Sequence, residues 1–257
     1  MHRPMSSSRR FEALCPLCGA PARVLRRLKP GNALILEYYC PQHGFLKAEE
    51  LRVKLPSRRL AEGGLYLAFE GIDGSGKTTQ SGILHDYLRA HGYEVVLVRE
   101  PWVKAIKEFL YKHDVDPDAE TYLFAADRII LQKEVVLPSL EQGKLVISDR
   151  SVFASLAYQV ARGVDEDFIL AVNRSIRFPD LVFLLDLPVE EALRRLSSRG
   201  QLTRFEEREF IEKVRMRYLE LAETHKDRFA VVDASKPVEE VHRRIAELLR
   251  ARYGIPA

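Results

Sequence analysis

The chain has 257 residues, 46% hydrophobic and 30% charged, with a formal net charge of +3. That is the balance of an ordinary soluble globular protein, with room for one large domain or a domain plus a small module. The charge is too small to point to nucleic acid, and no apolar run approaches a membrane span. All three cysteines fall in the first 40 residues, an odd count that argues against a disulfide framework. Residues 1–10 have no apolar run behind them and are not expected to be a secretory signal. They are expected to form a disordered tail, and the chain is expected in the cytoplasm.

Residues 11–50 differ in character from the rest. They carry Cys15-Pro16-Leu17-Cys18-Gly19 and Cys40-Pro41-Gln42-His43-Gly44, a C-x2-C-x21-C-x2-H spacing. Two knuckles of soft ligands suit a tetrahedral Zn²⁺ bound by Cys15, Cys18, Cys40 and His43. A strand-like run, 33–39, lies between them. The layout resembles a zinc ribbon, and a closed ligand set gives the metal a structural role. A ribbon that has lost its metal, or a redox pair at Cys15 and Cys18, is the alternative. Arg23, Arg26, Arg27 and Lys29 leave room for a nucleic-acid contact here and nowhere else. Residues 51–62 read as a connector, and a second module runs over 63–257.

That module alternates short apolar strands, at 65–69, 94–98, 145–148, 181–186 and 229–233, with helices. The helices include 119–142, 188–198, 207–226 and 237–252. Strands without polar alternation are covered on both faces, so the expected fold is three-layer α/β with a five-stranded parallel sheet. Asp118 is the expected cap of the helix beginning near Ala119, and Pro188 fits a first-turn position.

The first strand runs into Gly71-Ile72-Asp73-Gly74-Ser75-Gly76-Lys77-Thr78-Thr79, a G-x-x-x-x-G-K-T phosphate loop, and then a helix to about His91. Glycines let the backbone amides close around phosphate oxygens, and the helix N-terminus adds donors. Lys77 can reach terminal phosphates, and the Thr78 hydroxyl can hold Mg²⁺.

Ligands in such folds bind beyond the carboxyl ends of the strands. The second strand ends in Arg99-Glu100-Pro101 and the third in Asp149-Arg150. Asp149 is placed to orient water on Mg²⁺ and Arg150 to hold a second phosphate group. Phe124 and Arg128 are i,i+4 neighbours on one helix face. A ring beside a guanidinium can stack on a base and hydrogen-bond its edge.

With these pieces in order, joined by Ser155-Leu156-Ala157-Tyr158-Gln159 and Arg204-Phe205-Glu206, the chain resembles the thymidylate kinase family over nearly all of 65–240. The resemblance implies transfer of the γ-phosphoryl group of ATP to dTMP, with Mg²⁺, by a P-loop nucleoside monophosphate kinase fold that forms a homodimer. It implies that Gly71, Gly74, Ser75, Gly76, Lys77, Thr78 and Thr79 hold ATP, with Asp73, Thr78 and Asp149 around Mg²⁺, directly or through water. Phe124 would stack on thymine and Arg128 read its edge. Arg150 would grip the acceptor phosphate with Arg99 and Glu100 close by, and Ser155, Tyr158 and Gln159 would line the nucleoside pocket. Residues 195–204 resemble the mobile lid. Ser75 stands where some members carry a loop arginine, so Arg199 or Arg204 would complete the catalytic charge beside Lys77, Asp149 and Arg150. Two positions depart from the family: Trp102-Val103-Lys104 replaces Gly-Gly-Thr, and Ser151 replaces a large residue near the sugar. Both bear on acceptor choice. A kinase for another pyrimidine ribo- or deoxyribonucleotide, and a non-catalytic nucleotide-binding regulator, are the competing readings.

Overall fold

The computed structural model describes residues 63–197 and 208–255 with their side chains, and in the N-terminal part the backbone of five short strands and Gln42. The chain divides into two compact units, Met1–Ser57 and Arg58–Ala257. In the first, β1 (Ala13–Leu14), β2 (Pro21–Leu28), β3 (Ile35–Cys40), β4 (Gly44–Leu46) and β5 (Arg52–Val53) form one sheet in the order β4-β3-β2-β1-β5. β1 pairs antiparallel with β2 at Leu14↔Pro21, and β3 pairs antiparallel with β4 at Cys40↔Gly44. Because Arg23 pairs with Tyr39, the start of β2 and the end of β3 lie at the same end of the sheet. β5 takes up Arg52 and Val53, within the stretch that the sequence reads as connector. Cys15, Cys18 and His43 lie outside the described residues, as do residues 1–10. Of Cys40 only the backbone position is described.

In the second unit, β6 (Leu65–Glu70), β7 (Val95–Arg99), β8 (Leu145–Asp149), β9 (Leu181–Asp186) and β10 (Phe229–Asp233) form the expected five-stranded parallel sheet, in the order β10-β9-β6-β8-β7. The strand compositions explain this order. β6 and β8 are buried at every position, whereas β7 leaves Leu97 and β10 leaves Val231 exposed, as edge strands can. Alternation along the central strands divides the core. Tyr66, Val98 and Val146 pack with Leu131, Val136 and Leu140. Leu65, Leu67, Leu145 and Ile147 join the larger cluster with Leu84, Phe153, Phe183 and Ile245.

The helices are α1 (Lys77–Ala90), α2 (Lys104–Lys112), α3 (Pro117–Leu131), α4 (Leu137–Glu141), α5 (Val152–Ala161), α6 (Glu166–Val172), α7 (Val189–Ser197), α8 (Arg208–Thr224) and α9 (Val238–Tyr253). Two expectations need correction. The cap of α3 is Asp116, not Asp118: its carboxylate accepts from Asp118 N at 3.0 Å and Ala119 N at 3.3 Å. Pro117 then occupies the first turn, where its missing N–H is not needed. The stretch 119–142 is also not one α-helix, since a π-helical turn at Gln132–Val136 separates α3 from α4. Pro138 lies in the first turn of α4; it cannot donate to the preceding turn, and its ring crowds the carbonyl four residues back. Pro188 precedes α7 directly, its carbonyl accepting from Glu191 N and Ala192 N. Among the described residues no helix is long and apolar enough to cross a membrane.

Candidate active site

A cavity of about 290 Å³ opens beyond the carboxyl ends of β6, β7 and β8. The loop after β6 contributes Asp73, Gly74, Gly76, Lys77, Thr78 and Thr79 to its wall; Arg99 and Glu100 enter from β7, and Arg150 from β8. α3 contributes Glu120, Phe124 and Arg128, and α5 contributes Ser155, Tyr158 and Gln159. Most residues singled out in the sequence therefore meet in one place. Gly71 and Ser75 are not on the wall. Asp149 lines a second cavity of about 320 Å³ that shares Thr78 and Arg99 with the first. Arg199 and Arg204 lie outside the described residues. The start of the expected lid, Arg195, belongs to α7 and donates to Ala234 O at 3.1 Å.

The loop's glycines are dictated by geometry. Gly71 and Gly74 have φ of 139° and 84°, where a side chain is strained. A Cβ on Gly71 would lie 2.6 Å from Leu185 O, and one on Gly74 would lie 2.9 Å from Ala192 O of α7. The loop is thus pressed against β9 and α7 by backbone contact. Lys77 is buried, and its Nζ donates to Gly71 O and Ile72 O, each at 2.9 Å. Burial, with Arg150 as the next cause, lowers its pKa. Thr78 Oγ1 donates to Asp149 Oδ2 at 2.6 Å. Ser75 Oγ and Asp149 Oδ1 are buried without a hydrogen-bond partner.

Arg150 is the one non-glycine among the described residues with positive φ, at 77°. Three contacts hold this conformation. Arg150 N donates to Phe69 O at 3.0 Å, Ser148 Oγ donates to Arg150 O at 2.5 Å, and the next amide, Ser151 N, donates to Glu70 Oε1 at 2.7 Å. The guanidinium pairs with Asp73 and lies 5.1 Å from the centre of the Tyr158 ring. Burial alone would raise the Asp73 carboxyl, but Arg150 and then Lys77 overcome it and hold the group at about 2.

Arg128 is buried rather than solvated. Its Nε and Nη2 engage the Glu100 carboxylate at 2.7–3.1 Å, Nη1 donates to Asn173 Oδ1 at 2.7 Å, and Nη2 donates to Ser155 Oγ at 3.0 Å. Glu100 thus holds Arg128 in place. Burial, outweighing the attraction of Arg128, raises the Glu100 pKa.

The two departures sit away from the main cavity. Ser151 is buried, donates from Oγ to Glu70 Oε1 at 2.7 Å and caps α5, so its hydroxyl is turned to Glu70 and it is not on the cavity wall. The amides of Trp102 and Val103 donate to the Asp127 carboxylate at 2.7–2.9 Å. This anchor turns the half-exposed Trp102 ring onto the second cavity.

Sequence reasoning missed Glu70, Glu120, Asn173 and Tyr218. Glu70 could have been found as the acid that closes an otherwise apolar strand, as Asp149 closes β8, and Glu120 as the i−4 neighbour of Phe124. Asn173 and Tyr218 come from remote segments and have no local signal. Tyr218 OH donates to Glu70 Oε2 at 2.8 Å.

Comparison with known proteins is consistent with this geometry. A family model described as thymidylate kinase matches residues 69–245. A probable thymidylate kinase of Pyrococcus abyssi is 43% identical over 198 residues, 73% of this chain and 96% of that protein. Another from Thermococcus kodakarensis is 40% identical over 204 residues, covering 74% of this chain and 99% of that protein. A third, from Archaeoglobus fulgidus, is 40% identical over 192 residues, with coverages of 73% and 95%.

Proposed function

Because the chain belongs to the thymidylate kinase family, we propose that it transfers the γ-phosphoryl group of ATP to dTMP, giving dTDP and ADP. The loop from Gly71 to Thr79 holds the triphosphate. Lys77 exchanges the carbonyls of Gly71 and Ile72 for phosphate oxygens when ATP enters, a change favoured because anionic acceptors form stronger hydrogen bonds with an ammonium. The Thr78 hydroxyl and the Asp149 carboxylate are hard oxygen donors 2.6 Å apart, and the buried Oδ1 of Asp149 has no partner. These groups fit Mg²⁺, bound directly or through water, with Asp73 close by. When bound, Mg²⁺ neutralises charge on the phosphates. Arg199 or Arg204 adds the charge that Ser75 does not supply.

On the acceptor side Phe124 stacks on the base, and Tyr158 and Ser155 line the nucleoside pocket. Arg150 and Arg99 grip the monophosphate, Arg150 leaving Asp73 for it. The observation that carries this half is the Glu100–Arg128 pair. With Nε and Nη2 spent on Glu100 and Ser155 and one Nη1 hydrogen on Asn173, the guanidinium keeps one N–H for a base carbonyl. Gln159 beside it offers an amide. A donor next to an acceptor matches the O4 and N3–H edge of thymine. No covalent intermediate is needed, because catalysis here is alignment and charge neutralisation. A panel of dTMP, dUMP, dCMP and CMP with ATP and Mg²⁺ tests the reading. dTMP should show the highest kcat/KM; preference for dUMP or CMP overturns it, and no turnover with any acceptor favours a regulatory protein.

For the first unit we propose a structural Cys₃His zinc site at Cys15, Cys18, Cys40 and His43. Its support is the ligand spacing, together with a strand register that brings Pro21, just after the first ligand pair, and Cys40 to one end of the sheet. Thiolate and imidazole at that spacing suit tetrahedral zinc.

A further inference from the structure

Resting on the acceptor reading above, we propose that Glu120, clamped by Arg162, is a positioning residue for base choice: it fixes the Gln159 amide so that the carbonyl oxygen faces the base. α3 and α5 run antiparallel here, and their facing side chains form rungs. Arg128 meets Ser155 at one end, and Glu120 meets Gln159 and Arg162 at the other. Gln159 Nε2 donates to Glu120 Oε2 at 3.2 Å. Arg162 donates to the same oxygen, and its Nη2 also donates to Val115 O at 3.1 Å. Glu120 is 1% exposed, so its charge needs that arginine.

A carboxylate paired with an arginine accepts hydrogen bonds and offers none. Gln159 therefore turns its NH₂ toward Glu120, which takes one of its two N–H groups, and presents Oε1 as its acceptor for a ligand. An acceptor in that position pairs with the N3–H of thymine. It opposes the unprotonated N3 of cytosine, just as the Arg128 donor opposes the cytosine amino group. Without the carboxylate the amide can rotate and present the opposite pattern. The sequence of α3 places Glu120, Phe124 and Arg128 at i, i+4 and i+8, so one helix face supplies the orienting acid, the stacking ring and the edge-reading donor.

The test compares dTMP with 5-methyl-dCMP, which differ only at the N3–C4 edge, in the full-length enzyme with ATP and Mg²⁺. The wild type should prefer dTMP. In Glu120→Gln the ratio of kcat/KM for the two acceptors should fall roughly 10- to 100-fold, mainly through KM. Glu120→Asp keeps a carboxylate for Arg162 but withdraws it from Gln159, and should lower the ratio in the same direction. Equal proportional losses on both acceptors would make Glu120 merely structural and overturn the proposal, as would an unchanged ratio. Wild-type enzyme adds an arm that needs no variant. N3-methyl-dTMP should bind at least about 10-fold more weakly than dTMP, and equal affinity would also overturn it. A wild type that shows no preference for dTMP over 5-methyl-dCMP would instead defeat the acceptor reading itself.

Discussion

At the residue scale, Arg150 occupies a left-handed conformation that a non-glycine residue adopts at a cost of roughly 1–3 kcal/mol. Glu70 is part of what holds it, through the amide and hydroxyl of Ser151, while Tyr218 occupies the other carboxylate oxygen. Burial raises the Glu70 pKa from the usual 4.5 to about 7, against the lowering effect of the hydrogen bonds from Ser151 and Tyr218. An acid held above its free value stabilises the fold in its protonated form. That contribution is complete below about pH 4.5 and is lost as pH rises through about 7. Glu70→Gln does not titrate in this range. From pH 4.5 to 8 the wild type should therefore lose about 3 kcal/mol relative to the variant. Urea unfolding of both proteins across the range checks this, and parallel stability curves would contradict it.

At the element scale, α3 carries the acceptor side of the site, and its start is set by Asp116. Asp116→Ala should lower stability by about 1 kcal/mol, whereas Asp118→Ala should change it by less than about 0.5 kcal/mol. Thermal or urea unfolding of the two variants distinguishes the caps, and a larger loss at Asp118 would reverse the assignment. Both aspartates precede the same apolar pattern in the sequence. Only the backbone dihedrals show that Pro117 is already inside the helix. The π-helical turn after α3 is similar: Pro138 is visible in the sequence, but the turn it favours depends on packing Val136 and Leu140 against Tyr66 and Val146.

At the scale of the whole molecule, the family match at 69–245 falls within the second unit and leaves the first unit outside it. The purified full chain should carry about one zinc per molecule, and Cys40→Ser should reduce that content, because a tetrahedral site that loses one of four ligands binds weakly. Elemental analysis decides the matter; equal metal content in both proteins would exclude the site. The sequence by itself determined the parallel sheet, the phosphate loop and the positions of Lys77, Thr78, Asp149, Phe124 and Arg128. Each is written locally, as an apolar run, a glycine spacing or a helical i,i+4 pair. Tertiary structure alone decided that Glu100 holds Arg128, that Ser151 faces Glu70 rather than the cavity, and that Glu120 meets Gln159. Those partners lie 28, 81 and 39 residues apart. Their charges and hydrogen bonds acquire meaning only when packing removes water from between them.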